Sequence, residues 1–517
     1  MPIITVPVAD GGLIRDPWAP DLKDGAWSDG ANITFGKGYL CRTAGHVAPY
    51  GAAPIRVYNT FPLSAGSDRV WIEAGIEKLY AVRGDGVHEN ITRQADEADV
   101  NYSTDPDHGW TGTVIGGIAI VNNGIDVPQA YGGTGRAVDL PAWPSTWRAR
   151  AVRTYRNLLV AMNITDDGDR YPHQVRWSTY ADPGTVPPSW NPAPTNAAGD
   201  IDLADDPTEV MDGLPLGGAF IVYKEGAYYA MTFVGGSQVM NLQRISADAG
   251  LLGTNCVVAF PGGHFFLAQG DVCVHDGGPP RSVIDVRLRE WLFRQIDAGQ
   301  ISRCWVAANP VADELWIGIP TGADYGCSLA AIWNWKADQW TIRELPGVSG
   351  AGTGVVDAMA MNTWAQQTKT WAEMTSAWGQ LGIPPSAQRL MLASSQHSKV
   401  LLTNQGDTFD GAPISAFLRR EGMTFGDPFR VKLLRRTRPM IDATPGTKLR
   451  MRMGATMDQT TGTAWGEWRD YVVGTHEWFD DFASGKFLAF EMRSGDDDNN
   501  DWRMRGMLMD VEPQGYY

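Results

Sequence analysis

The chain has 517 residues, with 43 Lys+Arg against 59 Asp+Glu and a formal charge of −16. That length supports a large core and more than one domain, and the acidic balance excludes wrapping around nucleic acid, which needs a basic footprint. It leaves open a channel with acidic walls through which DNA slides without sticking.

Residues 1–50 are irregular, rich in Pro, Gly, Asp and Trp, and lie outside any repeat. They read as an arm that packs on its own domain or on a neighbouring subunit, with Trp18 and Trp27 as candidate contacts. No basic leader followed by an apolar run is visible, since Asp10 interrupts it. No stretch approaches the roughly 20 apolar residues of a membrane span.

From residue 51 to residue 418, short paired strands closed by Gly, Asp and Asn turns recur at intervals of roughly 40 to 60 residues. Leu79–Val82 and Val87–Thr92 flank Arg83-Gly84-Asp85-Gly86. Ile118–Val121 runs into Asn122-Asn123-Gly124, and Leu158–Met162 into Asp166-Asp167-Gly168. Phe220–Tyr223 returns as Ala227–Phe233, Phe265–Ala268 returns as Val272–His275, and Leu315–Ile319 pairs with Leu329–Trp333. Val400–Leu402 turns at Asn404-Gln405-Gly406-Asp407. An array of small sheets at this period predicts an all-β fold, a β-propeller of about six blades. Abundant Gly (59) and Pro (32) supply the turns, and 21 Trp suit the flat gaps between packed sheets.

Two segments interrupt the array. Residues 181–207 hold six prolines and read as a long loop. Residues 347–385 form a Trp-rich insertion in which Trp364, Trp371 and Trp378 repeat every seven residues, as on a short amphipathic helix. Such a stripe is core or interface packing, or else a sugar platform.

Residues 419–517 carry longer alternating strands, Val431–Arg438, Lys448–Met453, Trp465–Val473, Phe487–Arg493 and Arg503–Val511. They predict an appended C-terminal β-sandwich-like region. Its start holds the one concentrated basic feature, Arg419, Arg420, Arg430, Lys432, Arg435, Arg436 and Arg438. These side chains could dock an acidic partner, touch passing DNA or bridge subunits. The plainer reading is an exposed strand face whose arginines pair with neighbouring carboxylates. The run Asp496–Asp501 lacks the Gly and terminal Glu of a calcium loop and reads as a solvated turn.

Enzyme motifs fail one by one. His88-Glu89-Asn90 and His476-Glu477-Trp478 lack the second His of a zinc protease helix. Gly347-Val348-Ser349-Gly350-Ala351 lacks the last Gly of a nucleophile elbow. No phosphate-cradling GxxxxGK[ST] occurs, and the eight histidines are scattered. Ser103-Thr104-Asp105-Pro106-Asp107-His108-Gly109-Trp110 resembles an Asp-box turn of sialidases, but with its spacing off by one and in a single copy. A propeller glycosidase would need two carboxylates across a cleft. The expectation is no enzyme, and no catalytic, cofactor-binding or metal residues. Five cysteines without a CxxC pair read as buried free thiols.

Several stretches resemble the tail proteins of short-tailed bacteriophages. At the start these are Asp16-Pro17-Trp18, Gly25-Ala26-Trp27-Ser28-Asp29-Gly30-Ala31-Asn32 and Gly38-Tyr39-Leu40-Cys41-Arg42-Thr43-Ala44-Gly45. In mid-chain they are Arg156-Asn157-Leu158-Leu159-Val160-Ala161, Gln174-Val175-Arg176-Trp177-Ser178, Asp182-Pro183 and Trp190-Asn191-Pro192. Tyr223-Lys224-Glu225-Gly226-Ala227-Tyr228-Tyr229, Gly235-Gly236, Ile245-Ser246 and Gly250 continue the likeness. Residues Gly446–Gly454, Trp465, Gly474-Thr475, Phe487–Phe490 and Trp502–Val511 end it. The family is the tail nozzle, also called the tail hub or tubular protein.

The resemblance implies a homohexameric ring below the portal, in contact with the tail adaptor protein and with tail fibres or spikes. Double-stranded DNA would pass through it transiently, without sequence-specific binding. The chain would belong to the virion and be assembled in the host bacterial cytoplasm. The resemblance brings no catalytic residues. The alternative is a receptor- or glycan-binding propeller of the virion.

Overall fold

The computed structural model describes residues 3–65, 68–235, 239–322, 326–356, 388–495 and 500–516. Five separate four-stranded antiparallel sheets follow one another along the chain. Blade 1 spans strands Asn59–Ala65 to His88–Asn90, blade 2 Thr111–Ile115 to Val138–Asp139, and blade 3 Trp147–Tyr155 to Gly199–Asp202. Blade 4 spans Val210–Leu216 to Met240–Ser246, and blade 5 spans Val257–Phe260 to Arg281–Ser282. A nine-stranded sheet supplies two more blades because one long strand, Gln339–Val355, serves both. Its first half pairs with Cys327–Asn334 as the last strand of blade 6; its second half pairs with Gln388–Ser394 as the first strand of blade 7.

The first strands of successive blades lie side by side, and that of blade 7 packs back on that of blade 1. The circuit therefore closes on seven blades among the described residues, refining the expected count of about six. Blade 7 takes its fourth strand, His46–Val47, from the far N-terminal side, with Val47 opposite Leu402 and His46 opposite Thr403. Closing a ring with strands from both ends of the repeat ties the first blade to the last. That mixed blade is where a count based on consecutive hairpins falls short.

Local sequence explains the hairpins. Asp167-Gly168 and Gly116-Gly117 each place both residues at positive φ (49° and 93°, 57° and 84°), as two-residue turns matched to strand twist require. Leu315 pairs with Trp333 and Ile319 with Leu329, as the alternation predicts. Separate apolar clusters fill the seams: Leu63, Ile72 and Trp110 between blades 1 and 2, and Trp143, Trp147 and Trp190 between blades 2 and 3. Tyr155, Phe220 and Met231 lie between blades 3 and 4. The seam from blade 7 to blade 1 is the tightest. Gly350, Gly352 and Gly354 alternate along one strand, and a Cβ on any of them would run into the strand Asn59–Ala65 of blade 1.

The strands of residues 417–494 and 502–516 form a sandwich of two six-stranded sheets, and strands of residues 3–42 are woven into both. Ile3–Val6 and Tyr39–Arg42 pair with Trp502–Tyr516, while Asp29–Ala31 pairs with Phe417–Met423. Met451, Met453, Phe490, Met492, Met504, Met507 and Met509 fill the space between the sheets and are fully buried. The segment 3–47 thus contributes strands to the sandwich and to blade 7. Its short β-stretches, broken by Gly and Pro, carry no repeat signal, and of the two expected placements the structure has it packed on its own chain. Asn32 pins sandwich to propeller: its amide donates to Glu344 Oε2 and Ser415 O at 2.9 and 2.8 Å, and its Oδ1 accepts from Glu344 N.

The Pro-rich stretch 181–207 is irregular up to residue 198 and then supplies Gly199–Asp202, the fourth strand of blade 3. Trp177 Nε1 donates to Ala197 O at 2.7 Å and holds the end of the loop against the blade.

Candidate functional site

The inner strands surround a cavity of about 390 Å³ on the propeller axis, lined among others by Asn59, Gly112, Arg153, Asn255, Trp305 and Gly352. A polar chain crosses its wall. Arg153, near the C-terminal end of its strand, donates from Nε to Asp212 Oδ1 at 2.8 Å and from Nη2 to Asp212 Oδ2 at 2.6 Å. It also reaches Gly112 O and Asn255 Oδ1, both at 2.9 Å. Asn255 in turn donates to Trp110 O at 3.0 Å, which also accepts from Asn59 Nδ2 at 2.8 Å. One hydrogen-bonded chain thereby links blades 1, 2, 3, 4 and 5. Asp212 is fully buried and Arg153 nearly so, and a bidentate fork in low dielectric is directional and strong.

The loop Ser103–Trp110 lies along this cavity. Asp105 accepts from the backbone N–H of Asp107 and His108 and pairs with the His108 ring at 2.9 Å, and together these hold its carboxyl below its usual range against the effect of burial. Asp107 pairs with Arg303 at 2.7 Å. Asp105, which lines this cavity, and Asp107 and Asp212 close to it are each engaged by a basic group. The sequence signal for Asp212 is a lone charge in an otherwise apolar strand, whereas Arg153 is one of three arginines on its strand and carries no such signal.

The residues singled out from sequence do not form one site. Trp27 is 2% exposed, and its Nε1 donates to Val8 O at 2.7 Å, so it is core of this chain and is corrected as an interface candidate. Trp18 is 57% exposed, beside Phe487 at 6.3 Å between ring centroids. Trp364, Trp371 and Trp378 lie outside the described residues.

The arginine group divides between the two sandwich sheets. Arg419 and Arg420 are on Phe417–Met423, and Arg435, Arg436 and Arg438 are on Arg430–Ala443. Arg420 is a buried anchor that donates to Ala19 O and Leu22 O at 2.9 Å each, with burial lowering its pKa to about 10; it too is corrected as a contact surface. Arg419 pairs with Glu491 at 3.1 Å, Arg436 with Asp510 at 3.1 Å, and Arg438 with Glu477 at 2.9 Å. Arg435 pairs with Glu512. The plainer sequence reading, strand arginines paired with neighbouring carboxylates, describes these contacts.

Burial raises the thiols of Cys273 and Cys304 to about 12 and that of Cys41 to about 11. No helix among the described residues is long and apolar enough to cross a membrane.

No family model matches the chain, and no curated protein matches it in sequence. Among solved structures, it is similar to the computationally designed Ika8 protein at 10% identity and a TM-score of 0.35, over 70% of this chain and 99% of that one. It is also similar to apo AztD from Citrobacter koseri at 10% identity and a TM-score of 0.31, over 56% of this chain and 86% of that one.

Proposed function

We propose that the chain is a structural component of a short-tailed bacteriophage tail, a nozzle or hub subunit whose copies ring a conduit for DNA ejection. The observation that carries this reading is spatial. The opening and closing stretches that resemble the family are hundreds of residues apart in sequence, yet they are paired neighbours in one sandwich, through Leu40 with Met504 and Cys41 with Arg503. The mid-chain stretches fall together in the adjoining blades 3 and 4. A likeness that gathers into contiguous bodies belongs to an architecture rather than to scattered turns.

The physics suits the role. Six copies would carry six times −16, and an acidic lumen repels phosphates and limits friction on moving DNA. Blades tied by first-to-last strand pairing are stiff, and a head-to-tail contact closes when its rotation matches the ring. The partners would be the tail adaptor above, with fibres or spikes at the side or below.

The test is the mass of the purified chain by light scattering, with negative-stain imaging. A six-fold ring with a central hole, alone or on adding the adaptor, supports the conduit. A monomer without affinity for tail components, or a trimeric rod, overturns it in favour of a glycan-binding virion propeller.

A further inference from the structure

A second cavity, of about 540 Å³, adjoins the axial one and shares His108, Gly109 and Ser302 with it. Its chemistry differs. Arg148, Arg150 and Arg170 converge on it from two strands of blade 3, the first two on the same side of Trp147–Tyr155 by their spacing of two. In a chain of formal charge −16, this is a local excess of cations, since one carboxylate, Glu209, serves two of the three.

The guanidiniums are held in place but not used up. Arg148 donates from Nε to Ile125 O at 2.7 Å and from Nη1 to Ser145 O and Trp147 O at 2.8 and 2.6 Å. All three acceptors are neutral carbonyls, so its charge has no counter-ion among them. Arg150 donates to Thr254 Oγ1 at 2.9 Å and Glu209 Oε2 at 3.2 Å, and Arg170 Nη2 reaches both Glu209 oxygens at 3.0 and 3.1 Å. Glu209 is itself fixed by Asn163 Nδ2 at 3.1 Å. Arg148 Nη2, Arg150 Nη2 and Arg170 Nη1 keep donors without partners among the described residues.

Preorganised forks with spare donors are what an oxyanion with several equivalent oxygens needs. A carboxylate is satisfied by one fork; a phosphate uses two or three. The rest of the lining is amide and hydroxyl, with Asn123, Asn163, Thr165, Thr254 and Ser302, together with Asp107, whose charge is taken by Arg303, and His108, paired with Asp105; no apolar side chain larger than Ala149 enters. The volume exceeds that of a bare phosphate and falls within the range of small-molecule sites. We propose that this cavity binds a sugar phosphate, with the phosphate on Arg148, Arg150 and Arg170 and the hydroxyls on the amide and hydroxyl lining. The assignment does not depend on the oligomeric state.

The test is calorimetric titration of the full chain with ribose 5-phosphate, ribose, inorganic phosphate and a short duplex oligonucleotide, repeated on R150Q and R170Q. Arg170 is 62% exposed in its side chain, so R170Q keeps the fold even if R150Q does not. The expected result is that ribose 5-phosphate binds more tightly than phosphate, that ribose does not bind, and that R170Q weakens binding by about tenfold, the worth of one charged hydrogen bond. Duplex binding alone, with the same dependence on R170Q, assigns the sugar phosphate to a nucleic-acid backbone. Binding of neither probe at millimolar concentration, or binding indifferent to R170Q, overturns the proposal.

Discussion

Arg153 and Asp212 face each other across the seam between blades 3 and 4 in a two-bond fork, at 2.8 and 2.6 Å, with the Asp212 side chain fully buried. The same Asp212 carboxylate accepts from the backbone of Gly213 and Asn255 at 2.8 and 3.1 Å. Four donors on one buried carboxylate fix the angular register of three successive blades. Removing one charge strands the other in a medium that cannot solvate it.

Asp212→Ala is therefore expected to destabilise the chain by about 3–5 kcal/mol, the cost of orphaning a buried charge. The double variant R153M/D212L should recover much of that loss, because no charge is left unpaired. Urea unfolding of the three proteins checks this. Equal losses in the single and double variants would mean that the fork contributes through shape rather than charge.

The seam from blade 7 to blade 1 makes a steric prediction. A Cβ on Gly352 would meet the backbone oxygen of Thr60, which cannot move without shifting the inner strand of blade 1. Gly352→Ala should cost about 1–3 kcal/mol, as overpacking does. Gly218→Ala, whose Cβ would meet nothing within 4 Å, is the matched control and should leave the melting temperature almost unchanged.

Much of this architecture was legible in sequence, and the remainder was hidden for identifiable reasons. Hairpins such as Leu315–Ile319 with Leu329–Trp333 announce themselves because alternation and turn residues are local signals. The pairing of His46–Val47 with Lys399–Thr403 is not local, and a two-residue strand has no periodicity to detect. The same holds for Gly199–Asp202 behind a Pro-rich loop, and for the N-terminal strands whose partners lie beyond residue 410. At the sites, Arg420 looked like surface because arginine usually is, but three backbone carbonyls accept from its guanidinium. Arg153 and Asp212 are adjacent only once the blades are stacked.

A buried ring relay makes the fold sensitive to acid. His264 Nε2 donates to Pro215 O at 3.0 Å, so its Nδ1 accepts the Tyr223 hydroxyl proton at 2.8 Å. His275 Nδ1 accepts from Gly277 N at 3.1 Å, so its Nε2 donates to the Tyr223 oxygen at 2.5 Å. Every site is filled with both imidazoles neutral, and burial lowers each pKa to about 4 from the ordinary 6.5. Between those values the unfolded chain binds more protons than the folded one, so stability rises with pH across the window. This contribution is complete above pH 6.5 and is lost as pH falls towards 4. Denaturant midpoints measured through that interval should fall with acidity. His275→Gln should flatten the dependence; an unchanged slope would place the acid sensitivity elsewhere, for example at the buried His46.

The role of the N-terminal segment separates into folding and contact. Deleting residues 1–45 removes Ile3–Val6, Asp29–Ala31, Ile33–Gly36 and Tyr39–Arg42 from the two sandwich sheets and exposes the buried methionines between them. It also removes Thr43, whose hydroxyl accepts from Arg343, and the Asn32 pin. The truncated chain is expected to aggregate or to lose protease resistance in residues 430–516, whatever its oligomeric state. Any failure of a ring to form would then say nothing about a contact. Trp18→Ala asks the cleaner question, because Trp18 is the exposed aromatic of this segment and its loss leaves the strands intact. Circular dichroism and melting temperature should match those of the parent chain. A drop in the ring fraction by light scattering then places Trp18 between subunits, and an unchanged ring removes it from that interface.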